Sequence, residues 1–215
     1  MTARMHSQIA TMPGFGPGTH VMTTDGELPV EWLATGDRVL TRDHGVQPIL
    51  WVGRMRVPAG DATLQPDLTM VEIAEGALVD GGPTHATWLA PAHRVLLSGA
   101  AVELHLGVDE ALAPIAHLAD GLRVRSAPMG ASCLTQLLLP VHDLVQANGL
   151  WAESLLLDPA TLGVIGRDLP AHLLATPSLR LSHARAARLC LTQWEVRALR
   201  GTDRDQIPRM IRQVA

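Results

Sequence analysis

Short apolar runs punctuated by Gly, Pro, Asp and Asn make up most of this chain, a pattern that predicts strands and hairpins rather than long helices. Gly16, Pro17 and Gly18 bend the chain into an apolar stretch at 19–22, and Asp25-Gly26 supplies the positive backbone angles of a tight hairpin. Val30, Trp32 and Leu33 then lead through Gly36-Asp37 to a strand opened by Val39-Leu40. Further strands are predicted at 47–53, after a turn at 42–45, and at 69–73, with a loop over 56–67 between them. A turn-rich link at 76–84 precedes an apolar block at 88–97.

Farther along, 111–124 reads as a short helical or looped insertion ending at Gly121, and 134–154 as a strand pair closed by an Asn148-Gly149 turn. Breakers crowd 159–180, and that segment yields no assigned element. From His183 to Arg200, Ala187, Leu191, Trp194 and Ala198 recur at helical spacing and Gly201 terminates, so a helix is predicted there with those residues on the body and Arg185, Arg188, Arg197 and Arg200 outward. The resulting organisation is a flexible leader at 1–13, a β domain at 14–155 and a C-terminal extension at 156–215.

Composition changes this picture in three places. With no tyrosine, one phenylalanine (Phe15) and five tryptophans, the core must be aliphatic, and an aromatic base-stacking surface is not expected. Trp32, Trp51 and Trp88 are assigned to packing. All seventeen basic residues are arginine, which removes lysine Schiff-base and lysine general-base chemistry. Residues 1–179 carry nine Arg against eighteen acids and 180–215 eight Arg against three, so the tail is expected to dock as an arginine-rich face on an acidic body, with no nucleic-acid partner.

Other chemistries find no pattern. Cys133 and Cys190 lack metal or disulfide-framework spacing, and His85, His93, His105 and His117 lack metal-site periodicity, so neither metal nor cofactor is expected. GxSxG, HExxH, GxxxxGK[ST] and a post-strand GxGxxG are all missing. No apolar run reaches the ~20 residues that span a bilayer. The N-terminal residues lack the apolar centre of a Sec signal, which leaves the cytoplasm or export by another route. Thr19 and Asp37 are read as turn residues that bond nearby backbone.

Three blocks carry a family resemblance. Gly-Thr-x-Val at 18–21, Val-x-x-Leu at 30–33 and Gly-Asp-x-Val-Leu at 36–40 form the first, extended by Asp-His-Gly-x-Gln-Pro-Ile at 43–49. The second is the run at 88–97 with its histidine, and the third the apolar run at 134–154 with His142 and a terminal Glu-Ser pair. Together they resemble the hedgehog/intein (Hint) superfamily, particularly bacterial Hint-domain proteins, over roughly residues 14 to 155. The resemblance implies a mainly β, Hint-type disc of short strands and hairpins with a C-terminal helical tail.

It also implies an activity: cleavage of the chain's own N-terminal peptide bond through a thioester, with the N-terminal segment as intramolecular substrate and no turnover on a separate one. In such a reaction a thiol at the position of Gly14 attacks the preceding carbonyl, His93 donates a proton to the leaving nitrogen, and a hydroxyl at position 90 helps hold the peptide. Gly14 supplies no thiol and Ala90 no hydroxyl. His142 is read either as lining the same pocket or as a structural histidine on an apolar strand. Two readings follow: an autoprocessing domain impaired at its nucleophile, and a non-catalytic scaffold or interaction module. Likewise His93 is read either as the surviving acid or as a structural core histidine. Asn148, the only asparagine, lies between Ala147 and Gly149, a hairpin turn rather than a splicing terminus.

Overall fold

In the computed structural model, which describes residues 11–57, 69–78, 81–128 and 131–210, the chain is mainly β with its helices concentrated at the C-terminal end. The first strands are β1 (His20–Thr23), β2 (Gly26–Pro29), β3 (Arg38–Thr41), β4 (Gly45–Pro48), β5 (Trp51–Val57), β6 (Thr69–Ile73), β7 (Thr87–Leu89) and β8 (Arg94–Ser98). Helix α1 (Ala100–Leu106) and β9 (Glu110–Pro114) follow, then a 3-10 turn at Ile115–Leu118 and strands β10 (Val124–Pro128), β11 (Ser132–Leu138), β12 (Leu144–Ala147) and β13 (Leu150–Glu153). The C-terminal part holds α2 (Pro159–Ile165), α3 (Ala171–Leu174), α4 (Pro177–Ser182), the short strand β14 (Leu189–Cys190) and α5 (Gln193–Met210).

The hairpin chemistry acts where the sequence places it. Gly26, at φ 97°, lets β1 fold back on β2, and Asn148 and Gly149, at φ 47° and 78°, turn β12 into β13. Asn148 is also anchored through its side chain, accepting from the His20 amide and donating to Thr87 Oγ1. The largest sheet runs β14-β9-β8-β13-β12-β1-β3-β4 with β2 on β1, and two smaller sheets are β10-β6-β7 and β11-β5. Phe15 bridges the small sheets, pairing with Leu89 on one side and Thr135 on the other. Its ring is the one phenylalanine in a core otherwise built of Val, Leu, Ile and Ala, as the composition requires.

Several expectations are corrected. The insertion read as helical or looped at 111–124 opens on β9, where Ala111, Leu112 and Ala113 are all buried, and is helical and then looped only from 115 to 123. A strand covered on both faces loses polar alternation, and its Ala-rich run then looks helical. Trp32 is 72% exposed and contributes no core packing, while Trp51 and Trp88 are half-buried. Arg56 and Val57, expected to open a loop over 56–67, are the last residues of β5, and the rest of that stretch lies outside the described residues. The leader expected at 1–13 lies mostly outside them too, but Met12 is fully buried, among Leu138, Leu155 and the α2 to α4 leucines.

The C-terminal helix begins ten residues later than the spacing suggested. Thr192 and Glu195 close a capping box, the Glu195 carboxylate accepting from the Thr192 amide at 2.7 Å, and this fixes the start at Gln193. Its buried face is Val196 and Leu199, packed with Leu191 on Val102, Ala111 and Ala113. Trp194 is 76% exposed, its ring under the Arg197 guanidinium, and Ala198 is exposed. Arg188 does not point freely outward: it grips Asp43 with two 2.7 Å bonds and Glu110 with a third. Arg200 donates to the Ala119 carbonyl, while Arg185 and Arg197 are exposed. Among the described residues no helix is long and apolar enough to cross a membrane.

Denaturant melts should separate the two faces of α5. Leu199→Ala, which empties a buried site, is expected to cost about 2–3 kcal/mol. Trp194→Ala removes an exposed ring and should cost less than about 1 kcal/mol.

Candidate functional site

The peptide joining Pro13 to Gly14 sits between the end of β7 and the middle of β11, fixed by backbone bonds on both edges. Ala90 N–H donates to the Gly14 carbonyl at 2.9 Å, Phe15 and Thr135 exchange bonds of 2.8 and 2.9 Å, and Gly16 N–H donates to the Trp88 carbonyl at 2.7 Å. Such close approach leaves no room for side chains on two residues of the segment. A Cβ on Gly16 would lie 2.6 Å from the Trp88 carbonyl oxygen, and one on Gly14 2.9 Å from Leu134 Cβ.

His93 reaches this peptide from the turn after β7. Its amide bonds back to the Ala90 carbonyl, and its ring stacks edge-on to Phe15 with centroids 4.4 Å apart. Nδ1 accepts the Gly14 N–H at 2.9 Å, which assigns the proton of the neutral ring to Nε2. Nε2 has no hydrogen-bond partner of ordinary geometry, although the Glu153 backbone exerts a weak favourable pull on the ring. Burial drives the His93 pKa down to about 4 against the upward pull of the Glu153 carboxylate, and accepting the Gly14 N–H, which needs an unprotonated Nδ1, also favours the neutral ring. At neutral pH the ring is therefore an acceptor at the amide nitrogen, not a proton donor.

The other end of the peptide has its own donor. Gln136 Nε2 lies 3.3 Å from the Pro13 carbonyl oxygen, the atom on which negative charge would collect if that carbonyl were attacked. Opposite Gln136 in the β5–β11 pair stands Gly53, whose missing side chain makes space for the amide. His93, Thr135, Gln136, Glu153, Ser154 and Leu155 pack tightly around the peptide and leave no room for a water-sized molecule.

Glu153 is the electrostatic centre behind His93. Its carboxylate accepts the Arg94 amide and Nη1, each at 2.9 Å, and lies 3.4 Å from His142 Nε2, with the Glu153 and His142 side chains fully enclosed. Burial alone would raise this carboxyl, but the His142 ring and the Arg94 guanidinium outweigh it and hold Glu153 below the ordinary carboxylate range. His142 touches Glu153 and, through Nδ1, the Ala187 amide at 2.9 Å. It is not among the residues that surround the peptide, and it reaches them through Glu153.

Ala90 serves the site through its backbone; its methyl is buried in an apolar cluster with Val57, Met70 and Leu134. His85 and His105 are exposed and His117 is half-buried. Among the described residues no three His, Cys, Asp or Glu side chains come together as a metal site. Thr19 bonds the Gly16 carbonyl and Asp37 the Ala34 amide, the turn roles their positions suggest. Gln136 and Arg94 carry no sequence motif; each is found only through its strand pairing.

A mainly β body that threads its own N-terminal peptide between two sheets, with a buried histidine on the amide nitrogen, defines the class. The family model described as Hint domain matches residues 13–159, and the chain belongs to the Hint domain family. Solved structures similar to it include a bacterial intein-like domain from Clostridium thermocellum, 10% identical with TM-score 0.47, spanning 67% of this chain and 100% of that one. The gp41-1 intein is 16% identical with TM-score 0.43, over 65% of this chain and 97% of its own. A DnaB intein from Synechocystis sp. PCC 6803 is 11% identical with TM-score 0.40, over 66% and 99%. No curated protein matches the chain.

Two of the buried histidines, His93 and His183, fix an acid limb. His93 and His183 both titrate at about 4, each pulled down by burial, so their neutral forms belong to the folded state. A depressed histidine contributes fully above its unfolded value of ~6.5 and loses that contribution as pH falls toward the folded value. Unfolding free energy should fall between pH ~6.5 and ~4 with a slope approaching about 1.4 kcal/mol per pH unit for each ring. Stability that stays flat over that window in denaturant melts would show both rings solvated.

Proposed function

We propose that this Hint domain is an autoprocessing domain without its nucleophile, one that holds the Pro13–Gly14 peptide in a processing geometry and leaves it intact. The 2.9 Å contact from the Gly14 amide to His93 Nδ1 carries this reading. An acyl shift needs an attacking atom on residue 14, a donor at the Pro13 carbonyl and a proton carrier at the nitrogen that leaves. Gln136 supplies the carbonyl donor and His93 faces the nitrogen. Neutral His93 would take the proton of a thiol at position 14 and, once charged, deliver it to the departing nitrogen. Glycine offers no atom to begin that sequence. The chain's own N-terminal segment is then a bound, uncleaved substrate analogue.

The non-catalytic scaffold reading draws on a different observation, the Phe15 bridges. Residues 14–16 join two sheets, so their retention has a structural use independent of chemistry. Both readings place the same bond in the same pocket and differ in whether the pocket can still react.

Intact mass distinguishes them. The unaltered chain should keep its full mass through prolonged incubation with dithiothreitol or hydroxylamine. Gly14→Cys should release residues 1–13 in a thiol-dependent reaction, slowed by the crowding of its Cβ against Leu134, which is expected to cost about 1–3 kcal/mol of stability. Adding His93→Ala should abolish release. Release from the unaltered chain would contradict the proposal, and a folded Gly14→Cys chain that stays intact would favour the scaffold.

A further inference from the structure

Met12 is the last side chain before the held peptide, and its surroundings are unlike those of the residues beside it. Thr11 is exposed and Pro13 half-buried, whereas Met12 is 1% exposed. The walls around it come from two sources. Leu138 and Leu155 belong to the β body; Ile165, Leu169, Leu173 and Leu179 belong to α2, α3, α4 and the turn between the first two. Those four lie beyond the stretch matched by the Hint family, which ends at 159.

The helices are locally specified for this task. Asp158 caps α2 by accepting the Thr161 amide at 2.7 Å with Pro159 in the first turn, and Pro177 opens α4 in the same way. The extension is pinned to the body by His183, whose ring bonds the Leu139 carbonyl at 3.0 Å, and by Ser182 on the Pro140 carbonyl at 2.6 Å. The site it forms with the body is walled by Leu and Ile side chains, an apolar setting that a flexible thioether fills well.

We infer that the C-terminal helices are a side-chain subsite for the residue two positions before Gly14, selecting a Met- or Leu-sized apolar group there and setting the position of the peptide that follows. The coupling is mechanical. Proline fixes its own φ, so between the seated Met12 and the Pro13 carbonyl there is little backbone freedom. Seating Met12 therefore presents the Pro13 oxygen to Gln136 and the Gly14 amide to His93. The inference rests on the reading that this site holds the Pro13–Gly14 peptide, and it adds a recognition element from outside the family's matched stretch.

Residue-resolved hydrogen exchange on the full chain tests it, with the Gly14 amide as reporter and the Arg42 and Leu191 amides, bonded to Leu144 and Leu112 carbonyls, as references. In Met12→Ser the Gly14 amide should exchange faster by a factor of about ten or more while the references change less than about twofold, the signature of a local rather than global opening. Leu173→Ala, which alters only the wall, should shift Gly14 in the same direction, and Met12→Leu should leave it near the unaltered rate. Gly14 and the references rising together in both Met12→Ser and Leu173→Ala would reduce Met12 to ordinary core packing and overturn the inference, as would an unmoved Gly14. An unprotected Gly14 amide in the unaltered chain is a separate outcome, and it would overturn the held-peptide reading itself.

Discussion

One segment of three residues has to satisfy two demands at once. Gly14, Phe15 and Gly16 form the bridging segment that joins the β10-β6-β7 and β11-β5 sheets, and the same backbone presents the Gly14 amide to His93. Bonds on both edges draw the neighbours so near that a Cβ at position 14 or 16 would collide with Leu134 or Trp88. Phe15 takes the opposite course, burying its whole ring between the sheets and against the His93 imidazole. The result is a peptide held by the fold's own hydrogen bonds rather than by a mobile loop. Reintroducing a side chain at Gly14 would disturb the architecture as well as the chemistry.

Behind the peptide, charge fixes what packing alone would leave loose. Glu153 stays ionised though buried because Arg94 binds both of its oxygens and the His142 ring faces one of them. Removing Arg94 would strand that carboxylate, and an uncompensated buried charge is strongly destabilising. His142 in turn receives the Ala187 amide from the C-terminal strap, so the extension contacts the site from two sides, through this histidine and through the Met12 pocket. Arg188 grips Glu110 on β9, beside β14, and Asp43 in the β3–β4 turn, so it ties the strap to strands from both ends of the large sheet.

Much of this was legible in the sequence because turn chemistry is local. Asp25-Gly26 and Asn148-Gly149 announce their hairpins, and His93 stands in a recognisable block ahead of an apolar strand. Gln136 and Glu153 were not legible as peptide and histidine partners, because their roles arise from the β5–β11, β12–β13 and β13–β8 pairings, which no short motif encodes. The tail was misjudged for a different reason. Apolar spacing over 183–200 outweighed the Thr192-to-Glu195 capping box, so Trp194 was assigned to the core when Val196 and Leu199 hold that face. Prolines 159 and 177 looked like breakers and are in fact first-turn residues of short helices.

The contact between the Gly14 amide and the His93 ring is observable directly by nitrogen-15 NMR of the histidine side chains. His93 should appear through the neutral range as the tautomer protonated at Nε2, with an unprotonated Nδ1 coupled across the hydrogen bond to the Gly14 amide, and should titrate only at about 4. A His93 ring that carries its proton on Nδ1, or that titrates at the ordinary ~6.5 of a solvated histidine, would contradict the account.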